Sequence, residues 1–437
     1  MTEIIEYIIQ FLLGRDISPE SLKKIGYTAD KEEFHNYKLV ILASPFFNKE
    51  IYGTEQSLPI LPLPIWEEVP LLFGQPIVEE IGETRVIHAD LVASTYFLIT
   101  RYEEMVRRDC RDVHGRFPGR ESVPYRAGFV DSPLVDEYGK LLRLQLQNTC
   151  CEVPEPPKQI QKIYLTHDVD QISHYRNLRG FMGGFLRGIR WPKEGNRALK
   201  SFFSGLQFDP WYTLPWLFNL DNSVKKTIGN KRCETIAFIK IGGGFRKEDK
   251  PMVLPHHPDF QSLLKLCRES KIIIGLHTSY EAGIFPKRIY DEKRNLERIS
   301  KRKVYYNRHH YLDTREPEDM QALIEAKITD DFTMGYADVA GFRLGTCRAV
   351  RWINPKTQQL TSLILHPLTI MDVSLSDKRY MYLNAHQANE YCIQLINIVE
   401  SWNGELVLLW HNTTVEKTTR SYHRQLYENI IEHLKTK

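Results

Sequence analysis

The residues best suited to chemistry in this chain stand where short apolar runs stop. Ile163-Tyr164-Leu165-Thr166-His167-Asp168-Val169-Asp170 reads as a strand ending in two carboxylates one residue apart. In an extended chain the two share a side and Val169 turns to the other. Carboxylates held that close stay ionised cheaply only with a cation or a hydrogen-bond donor between them, so a metal is the economical expectation. An N-cap for a helix starting near Ser173 would account for one Asp but not for both.

Three further runs end the same way. Ile272 to Leu276 meets His277, Val304 to Asn307 meets Arg308-His309-His310-Tyr311, and Leu406 to Trp410 meets His411. Barrel geometry would bring all of these to one mouth with Asp168 and Asp170. An Asp, a His and a further His or carboxylate are what a divalent cation of the zinc type takes while keeping a position open for water. His309 and His310 are adjacent, so only one of them can face that mouth.

The elements that must position these residues are legible as a βα alternation. Expected strands are Ile163 to Leu165, Ile236 to Ile241, Ile272 to Leu276, Val304 to Asn307, Leu363 to Leu365 and Leu406 to Trp410. Amphipathic helices are expected between them at Asp259 to Glu269, Asp291 to Ile299, Pro317 to Ala326 and Ala385 to Trp402. The alternation predicts an α/β fold with a parallel sheet or barrel. The proline-rich stretch Cys150 to Lys158 reads as a linker, dividing the chain into 1–155 and 156–437. The first part reads as a smaller mixed α/β domain without a chemical motif. Its expected strands are Lys38 to Ala43 and Thr84 to Ile87; its expected helix is Asp90 to Arg108, with Asp90 as N-cap. Asp109 to Val135 reads as loop.

At 437 residues and 42% hydrophobic content the chain can bury two cores. A net charge of +3 with both signs scattered requires neither nucleic acid nor an anionic membrane. Seven cysteines without a Cys-x-x-Cys pair suit a reducing compartment. Glu3 and Glu6 interrupt the apolar N-terminus, which reads as an amphipathic helix and not as a signal peptide. No stretch has the length of a membrane span. A soluble, cytoplasmic protein is therefore expected, of undetermined oligomeric state.

The run Leu-Thr-His-Asp-Val-Asp (165–170), Gly-Leu-His-x-Ser-Tyr (275–280), Arg308 to Tyr311, Asp338 with Gly341-Phe342-Arg343, and Leu409-x-His411 together resemble the polysaccharide deacetylase family, also called NodB-homology or chitin deacetylase-like. The likeness covers about residues 160 to 415, and is closest to a bacterial subgroup with an extra N-terminal domain. It implies a distorted (β/α)7 barrel and a metal-dependent deacetylase hydrolysing N-acetyl groups of a sugar or polysaccharide precursor. By position it implies Asp168 as the base, Asp170 and His277 as metal ligands, Arg308 as the group orienting the base, and His411 as the acid. The family's second histidine, four residues after the first, is Glu281 here. Glu281 would then complete the shell of a divalent metal, expected to be zinc, since glutamate oxygen binds zinc or a harder cation. Alternatively His309 or His310 completes the shell, or no tight metal is held.

Bland roles stand beside these. His277 could bond a neighbouring carbonyl, and Arg308 and Arg343 could be ordinary ion-pair partners, Arg308 being the better functional candidate. Asp338 suits support of an arginine or an Asx-turn equally. His167, His256 and His257 carry no case. Gly242-Gly243-Gly244 reads as a turn leaving room for substrate, and Trp211, Tyr212, Trp216 and Phe218 as core or a sugar-stacking face. The reading from another class is a catalytically silent barrel that binds carbohydrate or acts as a scaffold. Glycosidic cleavage by Asp168 and Asp170 is disfavoured, because carboxylates one residue apart cannot flank a bond.

Overall fold

The computed structural model describes residues 1–437 apart from 15, 16, 150, 152, 245, 251–253 and 417–420. Fourteen strands are numbered in chain order: β1 Ile25–Thr28, β2 Leu39–Leu42, β3 Ile65–Trp66, β4 Val69–Pro70, β5 Gly74–Ile81, β6 Thr84–Ala89, β7 Lys162–Val169, β8 Cys233–Lys240, β9 Ile273–Thr278, β10 Tyr306–His309, β11 Asp330–Met334, β12 Val350–Asn354, β13 Gln359–Met371 and β14 Glu405–Leu409.

Residues 1–150 form a mixed α/β region around a four-stranded sheet in the order β1-β2-β6-β5, with β3 and β4 a separate ribbon. The N-terminal segment is the expected amphipathic helix, Thr2–Leu13, which buries Ile4, Ile8, Ile9, Leu12 and Leu13. At roughly 1.5–3 kcal/mol for each large aliphatic removed from water, this stripe and not intrinsic propensity holds the helix. Asp90 caps the next helix, accepting from Ala93 N at 2.8 Å, but the long helix expected to Arg108 breaks into Leu91–Ile99 and Tyr102–Val106. Arg101 adopts φ 55° at the break, which turns its guanidinium into an ion cluster with Glu104 and Glu316. Tertiary charge pairing there overrides a locally helical sequence.

Strands β7-β8-β9-β10-β11-β13-β14 pair in parallel and close on themselves, since β14 pairs with β7, to give a seven-stranded barrel flanked by helices. β12 pairs antiparallel with β13 outside that ring. Tyr164, Ile236, Phe238, Phe332, Leu368, Val407 and Leu409 fill the interior. Alternate residues of the same strands, such as Ile163, Leu165, Ala237 and Ile239, pack outward in the large apolar cluster that also takes in the N-terminal region. In the linker stretch, Cys150 and Glu152 lie outside the described residues, and 153–157 carry no regular element. No helix among the described residues is long and apolar enough to cross a membrane.

The two regions meet through polar contacts as well. Arg343 makes two bonds to the Glu104 carboxylate, at 2.9 and 2.8 Å, and Arg101 reaches Glu316 and, at 2.9 Å, Thr314 Oγ1. Asp338 neither supports an arginine nor forms a local turn; its carboxylate accepts from Gly119 N at 2.7 Å and Arg120 N at 3.2 Å.

Candidate active site

Strand alternation carries Thr166, Asp168 and, just past the strand, Asp170 toward one end of the barrel, where β9, β10 and β14 deliver His277, Arg308 and His411. Arg308 is wholly buried. Its Nη1 lies 2.7 Å from Thr166 Oγ1 and 3.1 Å from Asp168 Oδ1, Nε donates to the Phe332 carbonyl at 3.0 Å, and the guanidinium sits 4.6 Å from the Phe238 ring centroid. The fork thus fixes Asp168 and supplies its countercharge.

Asp170 is the meeting point of three imidazoles. His277 Nε2 is 3.1 Å and His310 Nε2 3.4 Å from Asp170 Oδ1, and His411 Nε2 is 3.9 Å from Oδ2. Each ring is pinned from behind. His277 Nδ1 donates to the Arg308 carbonyl at 2.9 Å, His310 Nδ1 to Asp249 Oδ1 at 3.1 Å, and His411 Nδ1 to Asp372 Oδ1 at 2.8 Å. Because these partners can only accept, Nδ1 of each ring carries a proton, and in neutral His277 and His310 the Nε2 lone pair is left facing the Asp170 carboxylate. His277 Nε2 and Asp170 Oδ1 are buried 3.1 Å apart with no other hydrogen-bond partner, so a proton on Nε2 or a bound cation is what would join them.

The protonation tendencies follow from the same contacts. Burial pushes the Asp170 carboxyl up, but His310, His277 and His411 hold it well below the usual range. For His277, burial lowers and Asp168 and Asp170 more than offset it, raising the net value. His310 is lowered by burial, with Lys240, a buried residue ending β8, adding to that effect. His411 is raised to about 10, because Asp372 outweighs burial.

Asp170, His277 and His310 place one ligand atom each within 4.8 Å of one another. Donors at about 2.0 Å from a tetrahedral zinc stand about 3.3 Å apart, and the Asp170 contacts of 3.1 and 3.4 Å match that spacing. The donor set fits a divalent cation with open positions, and the Asp249 bond to His310 is the carboxylate support such a ligand needs. Glu281 is not in this group. It lies on the short helix Tyr280–Ile284, with Oε1 3.1 Å from Arg288 Nη1 and its backbone N–H on Asp249 Oδ2. His310 faces the mouth instead, since Arg308 points in, His309 points away to Asn307 at 3.0 Å, and the next residue returns inward. Burial lowers the pKa of His309 to about 3, so it is a neutral structural ring.

Three contributors carried no motif in the sequence reading. Asp372 follows β13 as Asp170 follows β7, and the strand-end rule could have found it. Asp249 ends a single 3₁₀ turn, Lys247–Asp249, too short to carry a periodic signal. The third is the turn Asp112–Arg116 of the N-terminal region: Asp112 takes His114 N at 2.8 Å, Arg116 N at 3.0 Å and Arg116 Nε at 2.8 Å. Arg116 then donates to the Tyr311 carbonyl and the Tyr380 hydroxyl, each at 3.0 Å. His114 packs 4.7 Å from the Tyr311 ring, beside Tyr280, giving the mouth an aromatic rim. Of the residues without a chemical case, His167 bonds Asp221 and the Trp410 carbonyl, and Phe218 is core.

Residues 1–150 match the model of a family of unknown function (DUF7033). No functionally curated protein matches the chain. Among solved structures it is similar to "Crystal structure of putative polysaccharide deacetylase from Mycobacterium smegmatis", at 13% identity, over 64% of this chain and 86% of that one, with a TM-score of 0.41.

Proposed function

We propose that this protein is a metal-dependent deacetylase that hydrolyses the acetamide of an N-acetylated sugar or polysaccharide precursor. The observation that carries the reading is the convergence of the Asp170, His277 and His310 ligand atoms beside an arginine-clamped Asp168 and an aspartate-backed His411. Asp170, His277 and His310 would hold the metal, which supplies Lewis-acid polarisation of the acetyl carbonyl and a more acidic water when bound. In this reading residues 1–155 are a separate domain that walls one side of the mouth, and 156–437 are the catalytic barrel.

Asp168 takes the proton of the attacking water as its oxygen bonds to the acetyl carbon. Arg308, bonded to Asp168 Oδ1, keeps the carboxylate oriented for that transfer. His411, raised to about 10 beside Asp372, carries a proton at neutral pH and gives it to the sugar nitrogen as the carbon–nitrogen bond breaks. Acetate and a free amine result. Without that proton the leaving group would be an amide anion, so the acid is required.

The test is acetate release from N-acetylglucosamine oligomers by metal-loaded protein. Wild type is expected to release acetate, and Asp168→Asn to lose roughly 10²–10⁴-fold with an unchanged melting curve. A wild-type protein that binds no divalent metal and deacetylates no N-acetylated sugar overturns the reading. Tight oligosaccharide binding that survives both Asp168→Ala and chelator would assign the silent, carbohydrate-binding barrel instead.

A further inference from the structure

Between β7 and β8 the chain runs out into two helices, Leu178–Arg190 and Pro192–Ser204, that pack on each other as a hairpin with Trp191 at the corner. Near the corner the inner faces are small. A Cβ on Gly188 would stand 2.4 Å from Gly195 Cα, and one on Gly184 would meet Ala198 and the Tyr175 ring. Helices this close leave no room for large side chains there, and only toward the open end does Phe181 stack on Phe202, at 4.3 Å between ring centroids. Other bulky residues turn outward. Leu178, Met182, Phe185, Leu186 and Ile189 recur at helical spacing on the exposed side, with Leu178 70%, Ile189 80% and Leu186 and Trp191 58% accessible.

This is the reverse of an ordinary surface helix, which hides its apolar stripe. A contiguous exposed stripe of this size needs a partner. Charge identifies its kind: residues 178–204 contain six basic side chains, Arg179, Arg187, Arg190, Lys193, Arg197 and Lys200, and the single acid Glu194. Glu194 is engaged with Arg187 at 2.5 Å. Against a chain total of +3, the hairpin holds the positive excess. An apolar stripe with a tryptophan at its end and arginines and lysines along its flanks is the pattern of a helix lying in the headgroup region of an anionic bilayer. A nucleic acid would need the cations but not the leucines.

The hairpin is also firmly rooted. Asp209 accepts from His174 N, Tyr175 N and Ser201 Oγ at 2.8, 2.9 and 2.6 Å, and Arg176 joins Asp259 to the Ser201 carbonyl. Its root leaves the carboxyl end of β7, the end that carries Asp168 and Asp170. We infer that the 178–204 hairpin docks this protein on an anionic phospholipid surface and so brings the barrel mouth to a membrane-borne substrate.

Flotation of the full-length protein with vesicles tests this without any chemistry, so its outcome is independent of the deacetylase reading. Wild type is expected to float with phosphatidylglycerol-containing vesicles and much less with pure phosphatidylcholine. Leu186→Ser with Ile189→Ser should weaken binding by roughly 10-fold or more, from the apolar area lost. Arg179→Gln with Lys193→Gln and Lys200→Gln should reduce anionic binding toward the phosphatidylcholine level. All five positions are exposed, so melting curves should not change. Failure of wild type to float with either vesicle overturns the proposal. So does a concentration-dependent dimer that the Leu186/Ile189 variant abolishes, which would assign the stripe to a second copy of the chain.

Discussion

Arg308→Met removes the one cation bonded to Asp168 while leaving side-chain volume nearly unchanged. The Nη1 to Oδ1 separation is 3.1 Å, and both groups are buried, at 0% and 3% side-chain exposure. Coulomb's law at an effective dielectric near 20 gives about 5 kcal/mol for unit charges at that distance. Most of this offsets the desolvation of the two ions, so the intact pair adds little to net stability. Breaking it is different, since Asp168 is left buried with only His277, 3.6 Å from Oδ2, to answer its charge, and the expected loss is up to about 3–5 kcal/mol. The Thr166 hydroxyl and Phe332 carbonyl also lose their guanidinium partner, which adds to the cost. The double variant Asp168→Asn with Arg308→Met should recover roughly half of this loss, because no ion remains unpaired. Urea denaturation of the four proteins in the cycle measures the coupling. An Arg308→Met protein within about 1 kcal/mol of wild type, or a double variant no better than the single, would refute the reasoning that Asp168 depends on this arginine.

At the proposed metal site, His310→Gln is expected to abolish stoichiometric zinc in equilibrium dialysis, while Glu281→Gln retains it; Asp249→Ala should weaken zinc roughly 10–100-fold by freeing the His310 ring. The reverse order for His310 and Glu281 would identify the wrong third ligand. A pH effect is expected at His366, which bonds Glu405 at 2.7 Å and Asp330 at 3.0 Å and is raised to about 9, burial being outweighed by Glu405 and Asp330. Its folded value lies above its unfolded one, so its stabilisation is complete below about pH 6.5 and is lost as pH rises through about 9. The shift corresponds to at most about 3 kcal/mol. Denaturation midpoints of wild type and His366→Gln should therefore converge above pH 9, and a constant gap from pH 6 to 10 would count against it.

The parallel barrel was legible because its strands are apolar runs with polar punctuation, and the strand-end rule placed Asp168, Asp170, His277, Arg308 and His411 at one mouth. β11 escaped because it begins Asp330-Asp331, whose charges look like a loop until His366 and Asn307 are seen to satisfy them. β12 escaped because it is an antiparallel addition carrying the exposed Arg351. The helix expected from Asp90 to Arg108 was right in its cap and wrong in its continuity, since nothing local announces that Arg101 will turn toward Glu316. Glu281 drew attention because it stands where the resemblance puts a second histidine. Glu281 turns to Arg288, seven residues on, and His310 comes to Asp170 and His277 through the alternation of a strand whose end could not be fixed from sequence.

The ion cluster between Arg101, Glu104, Glu316 and Arg343 has a bearing on how the molecule fails. Glu316 is buried and pushed up to about 7, with Arg101 opposing that rise, and Arg343 answers Glu104. Neither region can let go of the other without stranding a buried charge on each side. A barrel cut free at residue 156 would keep Glu316 with only Trp352 Nε1 and Arg343 with only the Gly335 carbonyl, neither with an opposite charge, and the loop bearing His310 would lose Arg116. Unfolding of the first region would thus take the Arg116 bond from Tyr311, next to His310, and a single cooperative melt is the behaviour these contacts favour.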